Sequence, residues 1–149
     1  MLKRTRQLWE KQNRLVGDRT GLFAAVANAV EVDAVLYPGS YVDITPSFTW
    51  RSVTYVDVDR PAERFFADEQ GVGELLAAHG ADPDRHTVRF IAANYAGDLG
   101  LANNSFDLLV SLYAGFISEH CTRYLREGGF LLVNASHGDA AMASLNVHY

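Results

Sequence analysis

Short apolar runs alternate along the chain with segments in which apolar residues recur at helical spacing. Strands joined through helices in this way lie parallel in one sheet, with helices packed on both faces. Because the connections between parallel strands are right-handed, only a few sheet topologies are compatible with the pattern. It therefore predicts an α/β three-layer sandwich with a mainly parallel sheet in the strand order 3-2-1-4-5. The predicted strands cover residues 34–37, 52–57, 88–92, 106–111 and 130–134.

The predicted helices are bounded by glycine, proline and short polar residues. We expect the third long helix to be broken near Gly71 and Gly73 and the fourth to end at the glycine pair 128–129, since glycine readily adopts the backbone conformation that terminates helices. Asp43 or Thr45 is expected to cap a short helix after the first strand. The long helices are predicted at 3–15, 19–31, 61–79 and 115–126, and one short helix is predicted at 140–145.

The chain of 149 residues is expected to form a single domain, 1–149, with a basic helix at 1–18 and a short tail at 136–149. Apolar residues make up 48% of the chain and charged residues 21%, which are typical of globular proteins. No apolar run reaches the ~18 residues of a membrane helix, so no membrane segment is expected. Cys121 is the only cysteine, which excludes a disulfide within the chain and makes a cytoplasmic location the default.

Positive charge is concentrated at the start of the chain. Six of the thirteen Lys and Arg residues lie within the first nineteen positions, although the formal net charge of the whole chain is -5. A segment of this kind contacts nucleic acid in some proteins and forms the solvated face of an amphipathic helix in others. Because no aromatic interleaving or recognition module accompanies it, we expect a solvated face and no nucleic-acid binding.

The first predicted strand ends at a sharp turn. Pro38 and Gly39 follow Tyr37 directly, and a Pro-Gly pair marks a turn. A strand, a tight turn and a helix start leave free backbone N–H groups at the carboxyl end of the strand, where small ligands bind in open α/β sheets. Any α/β protein also needs such a turn, so this stretch alone leaves both roles open. The candidate ligand-binding residues here are Tyr37, Pro38, Gly39 and Ser40.

Polar side chains follow the other strands at the same edge. Asp57 closes the second strand, eighteen positions after Gly39, and a carboxylate there can accept hydrogen bonds from a ribose diol. Asp59 either lies at the same place or caps the next helix, and we favour Asp57. Asn94 is either an ordinary loop residue or a partner for an adenine edge, which its amide donor and acceptor suit. The other candidates are Val58, Tyr95 and Ser111, followed by Tyr113 and Gly115.

In this order the motifs resemble those of the class I S-adenosylmethionine-dependent methyltransferases. The resemblance rests on residues 35–41, 53–57, 88–94, 104–111 and 123–133. It implies a Rossmann-like fold, S-adenosylmethionine as the cofactor and an unknown small molecule as the methyl acceptor. Within the site it implies that Asp57 holds the ribose and Asn94 contacts adenine. The last two stretches match most closely, and they identify the fold better than the activity.

The chain departs from the family pattern in the turn. Tyr37 takes the place of the carboxylate that meets the ligand's amino group, and Tyr41 and Asp43 replace two glycines. Larger side chains restrict the approach of a ligand to the backbone, although the ring of Tyr37 or Tyr41 could face the sulfonium. The alternative hypothesis is therefore a non-catalytic methyltransferase-like binding or scaffold protein with a degenerate cofactor site.

Other kinds of site find less support. Methyl transfer can proceed by holding donor and acceptor in line, so no catalytic residue is assigned. His120 and Cys121 are adjacent and no second pair lies at zinc-ligand spacing, so no metal site is assigned. The complete glycine pattern of a nicotinamide-binding turn is absent, which disfavours a nucleotide-dependent oxidoreductase.

The end of the chain also differs from the family pattern. The family's sheet continues beyond the fifth strand with two more strands, whereas about fifteen residues follow Asn134 here. Because an uncovered apolar strand is a template for pairing, we expect either a homodimer through this edge or a tail that covers it.

Overall fold

The structure of the protein is a computed structural model that describes residues 1–16, 19–112, 116–134 and 140–144. Short 3₁₀ turns precede β3 and β5, at Pro83–Arg85 and Thr122–Tyr124. In chain order the helices and strands are α1 (Lys3–Val16), α2 (Thr20–Ala29), β1 (Ala34–Pro38), α3 (Pro46–Thr49), β2 (Ser52–Asp57), α4 (Arg60–Ala67), α5 (Glu69–Ala78), β3 (Thr87–Ala92), β4 (Phe106–Ser111), α6 (Ile117–Cys121), β5 (Leu125–Asn134) and β6 (Ala140–Ser144).

The strands form one sheet in the order β3-β2-β1-β4-β5-β6. The first five in this order are parallel, and β6 runs antiparallel to β5. The central strand β1 pairs through Val35 with Val53 of β2 on one side and with Leu108 of β4 on the other. The predicted α/β sandwich and the strand order 3-2-1-4-5 are therefore confirmed, and β1, β2 and β3 end at one edge of the sheet.

Alternate residues of the strands supply two apolar clusters. Val35 and Tyr37 of β1 belong to the first cluster, which also holds Phe23 and Phe65, and Leu36 belongs to the second. Successive side chains of a strand point to opposite faces, so the two clusters lie on opposite faces of the sheet. Both faces are buried, which explains why the central strands are almost continuously apolar.

The N-terminal helix α1 packs on the body through Thr5, Trp9 and Gln12, which are all buried. Its basic side chains are exposed, which confirms the predicted solvated face. Among the described residues, no helix is both long enough and apolar enough to span a membrane.

The expected break in the third long helix falls at Asp68, so the prediction of a break at Gly71 and Gly73 is wrong. Asp68 separates α4 from α5 and caps α5 by accepting a hydrogen bond from Gly71 N. A side chain at position 71 would displace the Asp68 carboxylate from its capping position. Asp68 Oδ2 also accepts hydrogen bonds from Leu2 N at 3.0 Å and Thr5 Oγ1 at 2.7 Å. The same carboxylate thus anchors the start of α1, a contact that no local pattern reveals.

The glycine pair at 128–129 does not end a helix, contrary to the prediction. Helix α6 ends at Cys121, and both glycines lie within β5. The pairing of β4 with β5 shifts register between Phe106–Leu125 and Leu108–Phe130, so residues 126–129 form an irregular segment in which Gly128 has φ 77°. These glycines therefore serve a bulge in the strand.

The predicted helix at 140–145 is wrong, because residues 140–144 form β6. This strand pairs antiparallel with β5, with Asn134 opposite Ala140 and Phe130 opposite Ser144. The expectation that the tail covers the edge of β5 is confirmed. A homodimer is not needed to cover that edge.

The carboxylate of Asp107 joins three strands at the other end of the sheet. Its Oδ2 accepts hydrogen bonds from Asp33 N at 2.9 Å and Ala34 N at 2.8 Å, and its Oδ1 accepts one from Arg126 Nε. Burial alone raises the pKa of Asp107, but the hydrogen bonds from Ala34, Arg126 and Asp33 outweigh it, so the net pKa lies below its usual range.

This lowered pKa predicts an acid-dependent loss of stability. A carboxyl group with a depressed pKa in the folded state stabilises the fold above its unfolded pKa, about 3.9, and loses that contribution as the pH falls through the folded pKa. Urea unfolding of the parent and Asp107→Asn should therefore show the largest stability difference at neutral pH and a shrinking difference below about pH 4. A difference that stays constant down to about pH 2 would contradict this assignment.

Candidate functional site

The turn after β1 lies at the edge where β1, β2 and β3 end. Gly39 adopts φ 66° and donates its N–H to Val56 O of β2 at 2.7 Å. Glycine takes this left-handed conformation without steric cost, so the chain can turn sharply away from the sheet. Tyr41 also has a positive φ, 49°, which is uncommon for a residue with a side chain.

The half-buried carboxylate of Asp57 holds this turn in place. Asp57 Oδ2 accepts a hydrogen bond from Tyr41 N at 2.8 Å, and Oδ1 accepts one from Asp59 N at 3.0 Å. One side chain at the end of β2 therefore ties the turn after β1 to the segment that enters α4. The hydrogen bond to Tyr41 N helps to offset the cost of the left-handed backbone at that residue.

A cavity of about 630 Å³, here called the rim cavity, opens beside the turn. It brings together five of the residues predicted from the sequence, namely Gly39, Asp57, Val58, Asn94 and Tyr95. Its other lining residues are Gln12, Leu15, Tyr41, Asp59 and Ala93. A second cavity of about 530 Å³, between α4, α5 and β3, contains none of the predicted residues, so we assign the candidate site to the rim cavity.

Sequence reasoning missed the contribution of α1. Gln12 and Leu15 reach the rim cavity because α1 folds back over the sheet edge, and nothing in their local sequence indicates this. Tyr41 and Asp59 had a usable signal, since both follow the predicted strand ends closely.

Four of the predicted residues do not line the rim cavity, namely Tyr37, Pro38, Ser40 and Ser111. Tyr37 has an exposed fraction of 0% and packs in the first apolar cluster, so its ring is not available to a sulfonium. Ser40 is buried, and Ser111 closes β4 outside the lining. The two positions predicted next, 113 and 115, lie outside the described residues.

Beneath the turn, Asp43 is the centre of a buried polar cluster. Its exposed fraction is 1%, and Oδ2 accepts a hydrogen bond from the Tyr37 hydroxyl at 2.7 Å. Its Oδ1 accepts from Thr45 N at 3.2 Å and Thr45 Oγ1 at 2.5 Å, and Arg19 Nε lies 3.8 Å from Oδ2. Asp43 is therefore fixed below the turn, and it does not line the rim cavity.

The rim cavity carries negative charge. Its described lining includes the carboxylates of Asp57 and Asp59, and no Lys, Arg or His belongs to that described part. Burial raises the pKa of the Tyr41 phenol, and the nearby carboxylates of Asp59 and Asp57 raise it further. Phosphate-bearing ligands are disfavoured in such surroundings, whereas neutral and cationic ligands are favoured.

Asn94 and Asp59 differ in how they are held. Asn94 is exposed, and its Oδ1 accepts a hydrogen bond from Ala96 N at 2.9 Å in a tight turn after β3. Asp59 occupies the N-cap position of α4, but its side chain accepts no capping hydrogen bond. The capping role considered for Asp59 is therefore not observed.

No known family model and no curated protein sequence matches this chain. Solved structures, in contrast, superpose on it. A SAM-dependent methyltransferase from Methanosarcina mazei superposes with a TM-score of 0.55 at 20% identity, covering 73% of this chain and 55% of that one. A protein from Corynebacterium glutamicum gives a TM-score of 0.59 at 16% identity, covering 89% of this chain and 67% of that one. The cyclase SpnF gives a TM-score of 0.55 at 17% identity, covering 76% of this chain and 43% of that one.

The chain thus has the fold of the class I S-adenosylmethionine-dependent methyltransferases, as its motifs indicated. It spans about half the length of the Methanosarcina mazei protein and of SpnF. At identities of 20% and below, the similarity establishes the fold alone, and a fold by itself does not specify a reaction.

Proposed function

We propose that the rim cavity binds S-adenosylmethionine and that the protein transfers its methyl group to a small molecule. The observation that carries this proposal is the convergence of Gly39, Asp57 and Asn94 on one cavity at the carboxyl ends of β1, β2 and β3. In open α/β sheets this edge is the usual place for a ligand.

The lining suits the adenosine half of the cofactor. Each Asp57 oxygen accepts one backbone N–H and has a second lone pair for a ribose hydroxyl. The exposed amide of Asn94 can pair with an adenine edge, and the volume of about 630 Å³ lies in the range of small-molecule sites.

The charges in the cavity suit a cationic cofactor. The carboxylates of Asp57 and Asp59 would face the positive sulfonium, whose methyl group is the electrophile that the cofactor supplies. The residues of this chain would bind and orient donor and acceptor, and holding two reactants in line lowers the barrier without a dedicated base.

The amino-acid half of the cofactor is expected to contribute little to binding. Tyr37 stands where the family has a carboxylate, and the nearest buried carboxylate, Asp43, is held by the Tyr37 hydroxyl and Thr45 below the turn. Neither group is placed to pair with an ammonium in the cavity, and an ion pair that is not formed adds no affinity.

Calorimetric titration of adenosine and S-adenosylhomocysteine should therefore give dissociation constants within about tenfold of each other, that is within about 1.4 kcal/mol. A dissociation constant near 1 μM for S-adenosylhomocysteine, with adenosine far weaker, would contradict this expectation and favour a complete cofactor site. If neither compound binds, the proposed function is wrong.

The second candidate is a non-catalytic binding or scaffold protein with the same fold. The buried polar cluster around Asp43 favours it, because Tyr37 and Asp43, which stand where the family has a carboxylate and a glycine, make internal contacts there. Absence of labelled methyl transfer to a panel of small molecules, despite adenosine binding, would support this candidate.

The cytoplasmic location remains a prediction from the lone cysteine, Cys121, whose thiol is buried.

A further inference from the structure

The outer part of the rim cavity has an apolar lip. Four large hydrophobic side chains are prominently exposed in the part of the chain that the structure describes, and two of them, Leu15 at 72% and Val58 at 63%, line this cavity. They come from elements far apart in sequence, α1 and the segment after β2. Exposed apolar groups gathered at a cavity provide a surface that a ligand can cover.

Beside this lip lies an acidic wall. Asp57 uses one carboxylate oxygen to hold the turn and the other to accept Asp59 N, whereas the Asp59 carboxylate does not cap α4. Burial raises the pKa of the Tyr41 phenol, and the carboxylates of Asp59 and Asp57, which line the same cavity, raise it further. Among the residues that the structure describes, no basic side chain lines the cavity to neutralise them. A ligand here therefore meets an apolar surface and a negative potential together.

We propose that the substrate of this cavity is a small aromatic or branched aliphatic amine, bound with its apolar part against Leu15 and Val58 and its ammonium beside Asp59. The inference rests on the proposed function, since it names the class of molecule that would occupy the cavity beside the cofactor. The inference concerns how this substrate is bound in the cavity. It also makes Leu15, on the N-terminal helix, a residue that determines specificity.

Three indoles that differ in charge test the proposal. Tryptamine is cationic at neutral pH, tryptophol is neutral and indole-3-acetate is anionic. Titrated by nuclear magnetic resonance, the parent protein should bind tryptamine about two- to fivefold more tightly than tryptophol, as expected for a partly exposed ion pair, and indole-3-acetate more weakly than both.

Three variants separate the contribution of the apolar lip from that of the Asp59 carboxylate. Leu15→Asn should weaken all three indoles about five- to tenfold, because partial burial of a leucine side chain is lost. Asp59→Asn should bring tryptamine to the level of tryptophol and leave tryptophol unchanged. Leu2→Asn is the matched control, since Leu2 is an exposed leucine, at 54%, outside the cavity. All three substitutions alter exposed side chains, so thermal unfolding should change little.

Several results would overturn the inference. These are an absence of indole binding, equal affinity for the three indoles, and a Leu2→Asn effect as large as that of Leu15→Asn. The test also separates this inference from the proposed function. Tryptamine binding with the expected variant effects, without binding of adenosine or S-adenosylhomocysteine, would retain the ligand class and remove the cofactor. Binding of S-adenosylhomocysteine without discrimination among the indoles would retain the cofactor and remove the proposed ligand class.

Discussion

Replacing Asp43 with alanine is expected to lower the free energy of unfolding by about 3–5 kcal/mol, the loss typical of a broken buried ion pair. The Asp43 carboxylate is 1% exposed and lies 3.8 Å from Arg19 Nε, whose side chain is 14% exposed. Without the carboxylate, the positive charge stays largely buried and the Tyr37 hydroxyl loses its acceptor. Urea unfolding followed by circular dichroism would measure the change.

Two further variants test whether the loss of stability comes from the buried polar cluster around Asp43. Asp59→Ala removes an exposed carboxylate and should change stability by no more than about 0.5 kcal/mol. Tyr37→Phe removes one buried hydrogen bond and leaves the Asp43–Arg19 contact, so a loss of about 1–3 kcal/mol is expected. If Asp43→Ala is no more destabilising than Asp59→Ala, the buried cluster does not stabilise the turn.

Asp57→Asn is expected to weaken adenosine binding by about 1.5–3 kcal/mol, or roughly 10- to 150-fold, because a charged acceptor for the ribose is lost. In the parent, the two oxygens of Asp57 accept one N–H each, from Tyr41 and from Asp59. The asparagine side chain has only one oxygen, so one of these two hydrogen bonds loses its acceptor. Calorimetry should therefore be accompanied by unfolding measurements, so that a binding loss is separated from a loosened turn.

Asp59→Asn is the matched control for this titration, because Asp59 lines the same cavity without holding the turn. It should leave adenosine affinity within about twofold of the parent, as an exposed carboxylate contributes little to a neutral ligand. Equal affinity of the parent and Asp57→Asn for adenosine would remove the ribose-binding role of Asp57.

Local sequence patterns were enough to predict the layers of the fold and the strand order 3-2-1-4-5. The central strands β1, β2 and β4 are mostly apolar because both faces of the sheet are covered. Their ends are marked by residues whose preferences are local, such as Pro38 and Gly39. The strand ends in turn place Asp57 and Asn94 at one edge, so half of the candidate cavity was predicted from spacing alone.

Contacts between distant segments could not be predicted in this way, because they depend on how the whole chain packs. Asp68 interrupts the third long helix while binding Thr5, sixty-three positions away, and this anchors α1 where Leu15 reaches the cavity. The local sequence of residues 140–144 is compatible with a helix or with a strand. Pairing with the free edge of β5 makes this segment a strand. Asp43, considered from the sequence as a helix cap, is instead a buried acceptor for Tyr37.

The physical reason is the range of each interaction. Backbone preferences and hydrophobic periodicity act within about one turn or one strand, so the sequence displays them directly. The partner of a buried carboxylate or a free strand edge is selected by desolvation and hydrogen bonding across the folded chain. For this protein, the local preferences specify the edge of the sheet that would bind a ligand. The packing of α1 and the burial of Asp43 determine which parts of a ligand that edge can hold.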